Sequence, residues 1–78
     1  MLKYELYKTD GDILFYHYYP QGSGEAGTVT INKETGEAVV VNPSEEDFEN
    51  RYAFKLMKRL LEFFENKTYK ETGMIAWY

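Results

Sequence analysis

The chain has 78 residues and carries nine lysines and arginines against thirteen aspartates and glutamates, a formal net charge of −4 at pH 7. This length predicts one domain, residues 1–78, with a single core. The acidic balance lacks the basic patch that nucleic-acid phosphates require, and the absence of cysteine excludes disulfides, thiolate chemistry and cysteine zinc sites.

Aromatic residues make up 18% of the chain, with eight tyrosines, five phenylalanines and one tryptophan. Rings bury large areas, so they favour a folded domain in a chain this short. The N-terminus alternates polar and apolar residues and has no continuous apolar stretch, which is not the pattern of a signal peptide. The longest aromatic run, Ile13 to Tyr19, is too short to span a bilayer. We therefore expect a cytoplasmic protein without a membrane span.

The first two predicted strands form a hairpin. Leu2, Tyr4 and Leu6 alternate with polar or mixed residues, the period-2 pattern of a half-buried strand. Asp10-Gly11 follows and favours a two-residue type I′ turn. With these two residues as the loop, Leu6 lies opposite Phe15 and Tyr4 lies opposite His17.

That register divides the aromatic segment between two faces, because alternate side chains of a strand point to opposite sides. Ile13, Phe15, His17 and Tyr19 are assigned to the core. The other face is left with four residues that need a cover: Tyr7, Leu14, Tyr16 and Tyr18.

Residues 28–32 and 37–41 predict a second hairpin, joined by a turn that ends at Gly36. Ala38 and Val40 are expected opposite Ile31 and Val29, facing the core. Val39 and Val41 then lie on the outer face. A strand that is apolar on both faces is usually central or covered on both sides.

One long helix is predicted to start after Ser44, its N-cap, with acidic residues in its first turn and an amphipathic pattern from Phe48 to about Asn66. Phe54 and Leu61, seven residues apart, widen its apolar face beyond the stripe that a helix needs to pack on a sheet. We expect another part of the molecule to contact that flank.

Residues 74–78 end the chain on Trp77 and Tyr78 and predict a short strand or a strap over an exposed apolar surface. The predicted fold class is α+β: a four-stranded antiparallel meander, one helix packed on one face, and a short C-terminal strand (ββββαβ).

The residues that could carry chemistry have simpler structural explanations. His17 is the one histidine, and the register gives it no nucleophile or orienting carboxylate. The Gly22-Ser23-Gly24 loop is followed by a strand, whereas a phosphate-binding loop precedes a helix. The acids Glu45–Glu49 belong to one helical turn, whereas a metal site needs carboxylates from several elements. No catalytic, cofactor or metal site is predicted.

The candidate site is therefore an interaction surface. A small non-enzymatic module that associates with itself or with a protein partner, as a homodimer through the aromatic face or a strand edge, is the leading hypothesis. The same rings could instead stack a small ligand or single-stranded nucleic acid, although the acidic charge disfavours nucleic acid. An acidic inhibitor that mimics nucleic acid is a third possibility. The predicted surface comprises Tyr7, Leu14, Tyr16, Tyr18, Val39, Val41, Trp77 and Tyr78.

Overall fold

A computed structural model describes residues 2–22, 24–47 and 50–76, and within these ranges the chain forms five strands and one helix. The predicted element order ββββαβ is confirmed. The elements are β1 (Leu2–Asp10), β2 (Ile13–Tyr19), β3 (Gly27–Asn32), β4 (Ala38–Asn42), α1 (Arg51–Asn66) and β5 (Thr72–Ile75).

The strands form one antiparallel sheet in the order β4-β3-β2-β1-β5, with α1 packed on one face. The predicted C-terminal strand is thus an edge strand of the sheet, paired with β1 from Leu2↔Ile75 to Glu5↔Thr72. It does not lie across the sheet as a strap. Trp77 and Tyr78 lie outside the described residues.

The predicted register of the first hairpin was wrong by one residue over most of its length. The turn is Gly11-Asp12, because Asp10 already pairs with Ile13. Gly11 has φ 59 and Asp12 does not share a positive φ, which fits a type II′ turn with glycine first. A bulge between Leu6 and Lys8 then shifts the pairing again, so Leu6 lies opposite Tyr16.

This shift exchanges the two faces of β2, since a one-residue slip moves every side chain of a strand to the other side. Leu14, Tyr16 and Tyr18 are buried under the helix, not exposed on the outer face as predicted. His17 and Phe15 lie on the outer face, not in the core. Buried apolar residues from the sheet and the helix form one core: Leu2, Tyr4, Leu14, Tyr16, Tyr18, Val29, Ile31, Ala53, Leu56, Leu60, Phe63 and Ile75.

The second hairpin follows the predicted register, with Val29 opposite Val40 and Ile31 opposite Ala38. Gly36 has φ 80, the left-handed conformation expected of the residue that closes this turn. The expectation that β4 is central or covered was wrong. It is an edge strand, and Val39 and Val41 are about half exposed on the outer face.

The helix begins later than predicted, at Arg51, and Ser44 is not its N-cap. Asn50 occupies that position with φ 57 and no side-chain capping bond. The carboxylate of Asp47 supplies the cap instead, accepting the backbone N–H of Tyr52 at 2.8 Å and of Ala53 at 2.9 Å. One buried carboxylate thus satisfies two of the free donors at the helix start.

The buried face of α1 comprises Ala53, Leu56, Leu60 and Phe63. Phe54 and Leu61 are exposed, so the described part of the chain supplies no cover for the flank that the sequence marked out. No helix in the described ranges is both long and apolar enough to cross a membrane.

Candidate interaction surfaces

The outer face of the sheet carries a row of rings that crosses β1 and β2. Tyr7 stacks on His17 with ring centroids 3.6 Å apart and planes 16° apart, and it meets Phe15 edge-on at 6.2 Å. Tyr19 continues the row edge-on to His17 at 6.3 Å. Within the described ranges no element packs over these rings. We call Tyr7, Phe15, His17 and Tyr19 the outer aromatic row.

The bulge in β1 brings Tyr7 into this row. Lys8 pairs with Phe15 and Leu6 pairs with Tyr16, which leaves Tyr7 without a partner between them. Tyr7 and Lys8 therefore both reach the outer face: the ring of Tyr7 contacts Phe15 and the Lys8 Nζ lies 4.8 Å from the same ring centroid. Sequence alternation alone could not reveal two consecutive side chains on one face.

Charged groups flank the row without forming a basic groove. Lys3 Nζ lies 5.8 Å from the Tyr19 ring centroid. The Tyr19 hydroxyl donates a 2.8 Å hydrogen bond to Glu5 Oε1, and His17 Nδ1 lies 3.8 Å from the same oxygen. That hydrogen bond to Glu5, with some burial, raises the pKa of Tyr19 above its ordinary value. The hydrogen bond to Glu5 fixes the Tyr19 ring beside His17 at one end of the row.

A second surface follows the free edge of β4. Among the described residues, six large apolar side chains are prominently exposed, and four of them lie on this side of the molecule. Val39 and Val41 project from β4 to the outer face, whereas Phe54 and Leu61 lie on the helix flank. Phe64, on the same flank, lies so close to Gly36 that a Cβ there would meet its ring, which places the flank beside β4. We call Val39, Val41, Phe54 and Leu61 the β4-edge surface.

Two of the acids before the helix, Glu46 and Asp47, accept hydrogen bonds from backbone N–H groups. Asp47 caps α1, and Glu46 accepts the backbone N–H of Glu25 at 3.1 Å. Ser44 ties the same two segments together, donating to the Glu25 carbonyl at 2.7 Å and accepting the N–H of Glu46 at 3.1 Å. Within the described ranges, no cluster of three or more histidine, aspartate or glutamate side chains is arranged to hold a metal ion.

A cleft of about 500 Å³ lies between the β3–β4 turn and the end of the helix. Phe64 and Tyr69 form its apolar wall, and Lys33, Glu34, Glu65 and Lys67 surround them. The Tyr69 hydroxyl is buried and has no hydrogen-bond partner among the described residues. Burial raises the pKa of this hydroxyl. The cleft holds two charges of each sign, so it has no electrostatic preference for an anion or a cation.

The predicted surface is thus divided by the structure. Tyr7, Val39 and Val41 are exposed, whereas Leu14, Tyr16 and Tyr18 are core residues and cannot contact a partner in this fold. Phe15, His17 and Tyr19 take their place on the outer face. Phe54 and Leu61 had been noted in the sequence for their excess apolar character but were not assigned to the surface.

Comparison of the chain with protein-family models, curated proteins and solved structures yields no significant match.

Proposed function

We propose that this protein is a small non-enzymatic interaction module that associates with a second copy of itself through the β4-edge surface. The observation that carries the proposal is that, among the described residues, four of the six exposed large apolar side chains lie on β4, whose outer edge is free, and on α1: Val39 and Val41 on the strand, and Phe54 and Leu61 on the helix. Exposed apolar surface on a folded protein often marks a protein–protein interaction site.

The edge itself also favours association. Natural edge strands are usually protected by lysine, proline or inward-pointing charge. The sequence of β4, Ala-Val-Val-Val-Asn, contains none of these. A bulge leaves Val41 unpaired between Val40 and Asn42. The backbone groups that point away from β3 and the outer side chains Val39 and Val41 are open to a partner strand.

Solution mass measured over a concentration series by sedimentation equilibrium tests the proposal. We expect a dimer at micromolar concentration, and we expect Val41→Lys or Phe54→Glu to weaken dimerisation at least tenfold, about 1.4 kcal/mol. Both side chains are more than half exposed, so the substitutions leave the core intact. Met74→Lys, at an equally exposed position on the opposite sheet edge, is the matched control and should leave the mass unchanged. A monomeric wild type would refute the proposal.

The outer aromatic row supports a second candidate, a binder of aromatic small ligands or single-stranded nucleic acid. Lys3 and Lys8 each lie over a ring of the row, and rings with nearby cations stack bases in single-strand binders. Quenching of the intrinsic fluorescence by oligonucleotides, weakening steeply with salt, would support the nucleic-acid form. Replacement of Phe15 by Ala should abolish that quenching. No quenching at low salt would dismiss it.

A further inference from the structure

We propose that the second copy pairs antiparallel along β4 with Val40 on the two-fold axis, producing one continuous ten-stranded sheet. This inference rests on the proposed self-association and specifies its geometry. It commits to a copy of this chain as the occupant of the β4-edge surface.

The direction of the backbone groups selects Val40. Asn32 donates its N–H to the Glu37 carbonyl at 2.9 Å, so this pair is hydrogen-bonded across β3 and β4. Hydrogen-bonded and non-hydrogen-bonded pairs alternate along an antiparallel ladder. The pair Thr30↔Val39 is therefore hydrogen-bonded, and the pair Val29↔Val40 is not.

It follows that Val40 directs its N–H and C=O away from β3, toward the free edge. Two copies of Val40 placed opposite each other can exchange both backbone hydrogen bonds. Val40 is also the middle residue of β4, so this register places Val39 opposite the second copy's Val41. A bulge leaves Val41 unpaired between Val40 and Asn42 in the sheet, so the regular pairing is centred on Val40.

Charge within the strands does not oppose a second copy in this register. Each copy carries the same net charge of −4, so like charges must be kept apart across the interface. No residue from Ala38 to Asn42 is ionisable, and the pairing therefore opposes no like charges within the strands. On the helix, Lys58 follows Phe54 by four residues and Glu65 follows Leu61 by four, so one charge of each sign lies beside the apolar pair.

The side chains fit the same symmetry. A two-fold axis perpendicular to the sheet keeps both helices on one face, which brings the two flanks of Phe54 and Leu61 toward each other across the axis. On the opposite face, two Val39–Val41 pairs form an apolar strip of four valines. The same two-fold axis thereby covers the exposed apolar groups on both sides of β4.

Cysteine cross-linking tests the register, because the chain contains no cysteine of its own. Opposed residues of a hydrogen-bonded antiparallel pair have Cα atoms about 5.5 Å apart, within the range that a disulfide spans. Under mild oxidation, Val40→Cys should form a covalent dimer. Val39→Cys should not form one, because each Val39 lies opposite Val41 of the other copy. The two Val39 residues are therefore two positions out of register.

The double variant Val39→Cys with Val41→Cys guards against a Val40 variant that folds poorly, since both positions are exposed. It should also cross-link, whereas Met74→Cys, on the other edge, should stay monomeric on a non-reducing gel. If the wild type is dimeric but neither Val40→Cys nor the double variant cross-links, or Val39→Cys alone does so as readily, the register is refuted while self-association stands. A monomeric wild type refutes both.

Discussion

The phenol of Tyr18 accepts the backbone N–H of Ser44 at 2.9 Å, joining the end of β2 to the segment that leads into the helix. Both residues are buried. Gly27, opposite Tyr18 in the sheet, lies so close that a Cβ would meet both the Tyr18 ring and the Ser44 backbone. A tyrosine that the sequence had placed on an open surface therefore holds two parts of the chain together.

Replacing Tyr18 by phenylalanine should reduce stability. The substitution keeps the ring but leaves the buried N–H of Ser44 without its acceptor, which costs about 1–3 kcal/mol. Urea unfolding followed by circular dichroism measures the change. Tyr7→Phe is the control, because the exposed Tyr7 should change stability by no more than about 0.5 kcal/mol. Equal effects of the two substitutions would contradict the role assigned to the Tyr18 hydroxyl.

Asp47→Ala should shorten or fray the start of the helix. The substitution removes the acceptor of two backbone N–H groups, and loss of a capping side chain costs about 0.5–2 kcal/mol. The helical circular dichroism signal and the urea midpoint should both fall. Glu45→Ala, two residues earlier and exposed, removes the same charge and should change neither. If Glu45→Ala destabilised the protein as much, general charge rather than capping would be the cause.

Stability should fall as pH rises above 10. Burial raises the pKa of Tyr16 well above its ordinary value of 10.0, with nearby Tyr4, Tyr69 and Glu71 adding to the effect, and burial also raises that of Tyr18. The neutral phenols are thus favoured by the folded state. Their contribution to the free energy of unfolding is fully present below pH 10, where unfolded tyrosine is also neutral. It is lost as the pH rises through the folded-state pKa values of these tyrosines.

Tyrosinate absorbance and the free energy of unfolding, measured together between pH 8 and 12, test this expectation. Ionisation of the buried Tyr16 and Tyr18 should coincide with unfolding. Stability that stays constant to pH 12 would contradict it.

The assignment of the two faces of β2 can be tested with neighbouring residues. Tyr16 is fully buried, so Tyr16→Ser should cost about 3–5 kcal/mol and unfold much of the protein. Phe15 lies on the outer face, so Phe15→Ser should leave a cooperative thermal transition near that of the wild type. The register predicted from an Asp10-Gly11 turn places Phe15 in the core and Tyr16 on the outer face. It therefore predicts that Phe15→Ser is the more destabilising substitution.

This pair shows what the sequence could and could not predict. Element order and the Val29↔Val40 register followed from strand alternation and turn residues. The faces of β2 did not, because nearly every residue from Ile13 to Tyr19 suits either a core or a half-covered surface. Its register depended on the turn position and on the bulge at Tyr7, and neither is encoded by hydrophobic alternation.

The late helix start has a similar cause. Ser44, with Asp47 three residues later, approximates a capping box, so the local sequence favoured a helix start at Ser44. The tertiary bonds of Ser44 to Tyr18 and Glu25 decide it, since they hold Ser44 in the preceding turn. By contrast, the apolar character of the flank with Phe54 and Leu61 followed from the sequence because helical periodicity is insensitive to the exact start. Its exposure did not, since we expected that flank to be contacted.

Gly73→Ala should weaken the attachment of β5 to the sheet. Gly73 lies opposite Tyr4 in β1, and a Cβ at this position would meet the hydroxyl and ring of Tyr4. Tyr4 is buried against Tyr16 and Phe63, with ring centroids 6.0 and 6.2 Å away, so it has little room to move. Overpacking of this kind costs about 1–3 kcal/mol.

Amide hydrogen exchange of residues 72–75 and the urea midpoint measure the effect. The amides should lose protection from exchange, and the urea midpoint should fall. Thr72→Ala, on the same strand and exposed, is the control and should change stability by less than about 0.5 kcal/mol. The double variant Gly73→Ala with Tyr4→Phe should not recover full stability, because the ring as well as the hydroxyl lies in the way. Full recovery in that variant would restrict the conflict to the hydroxyl.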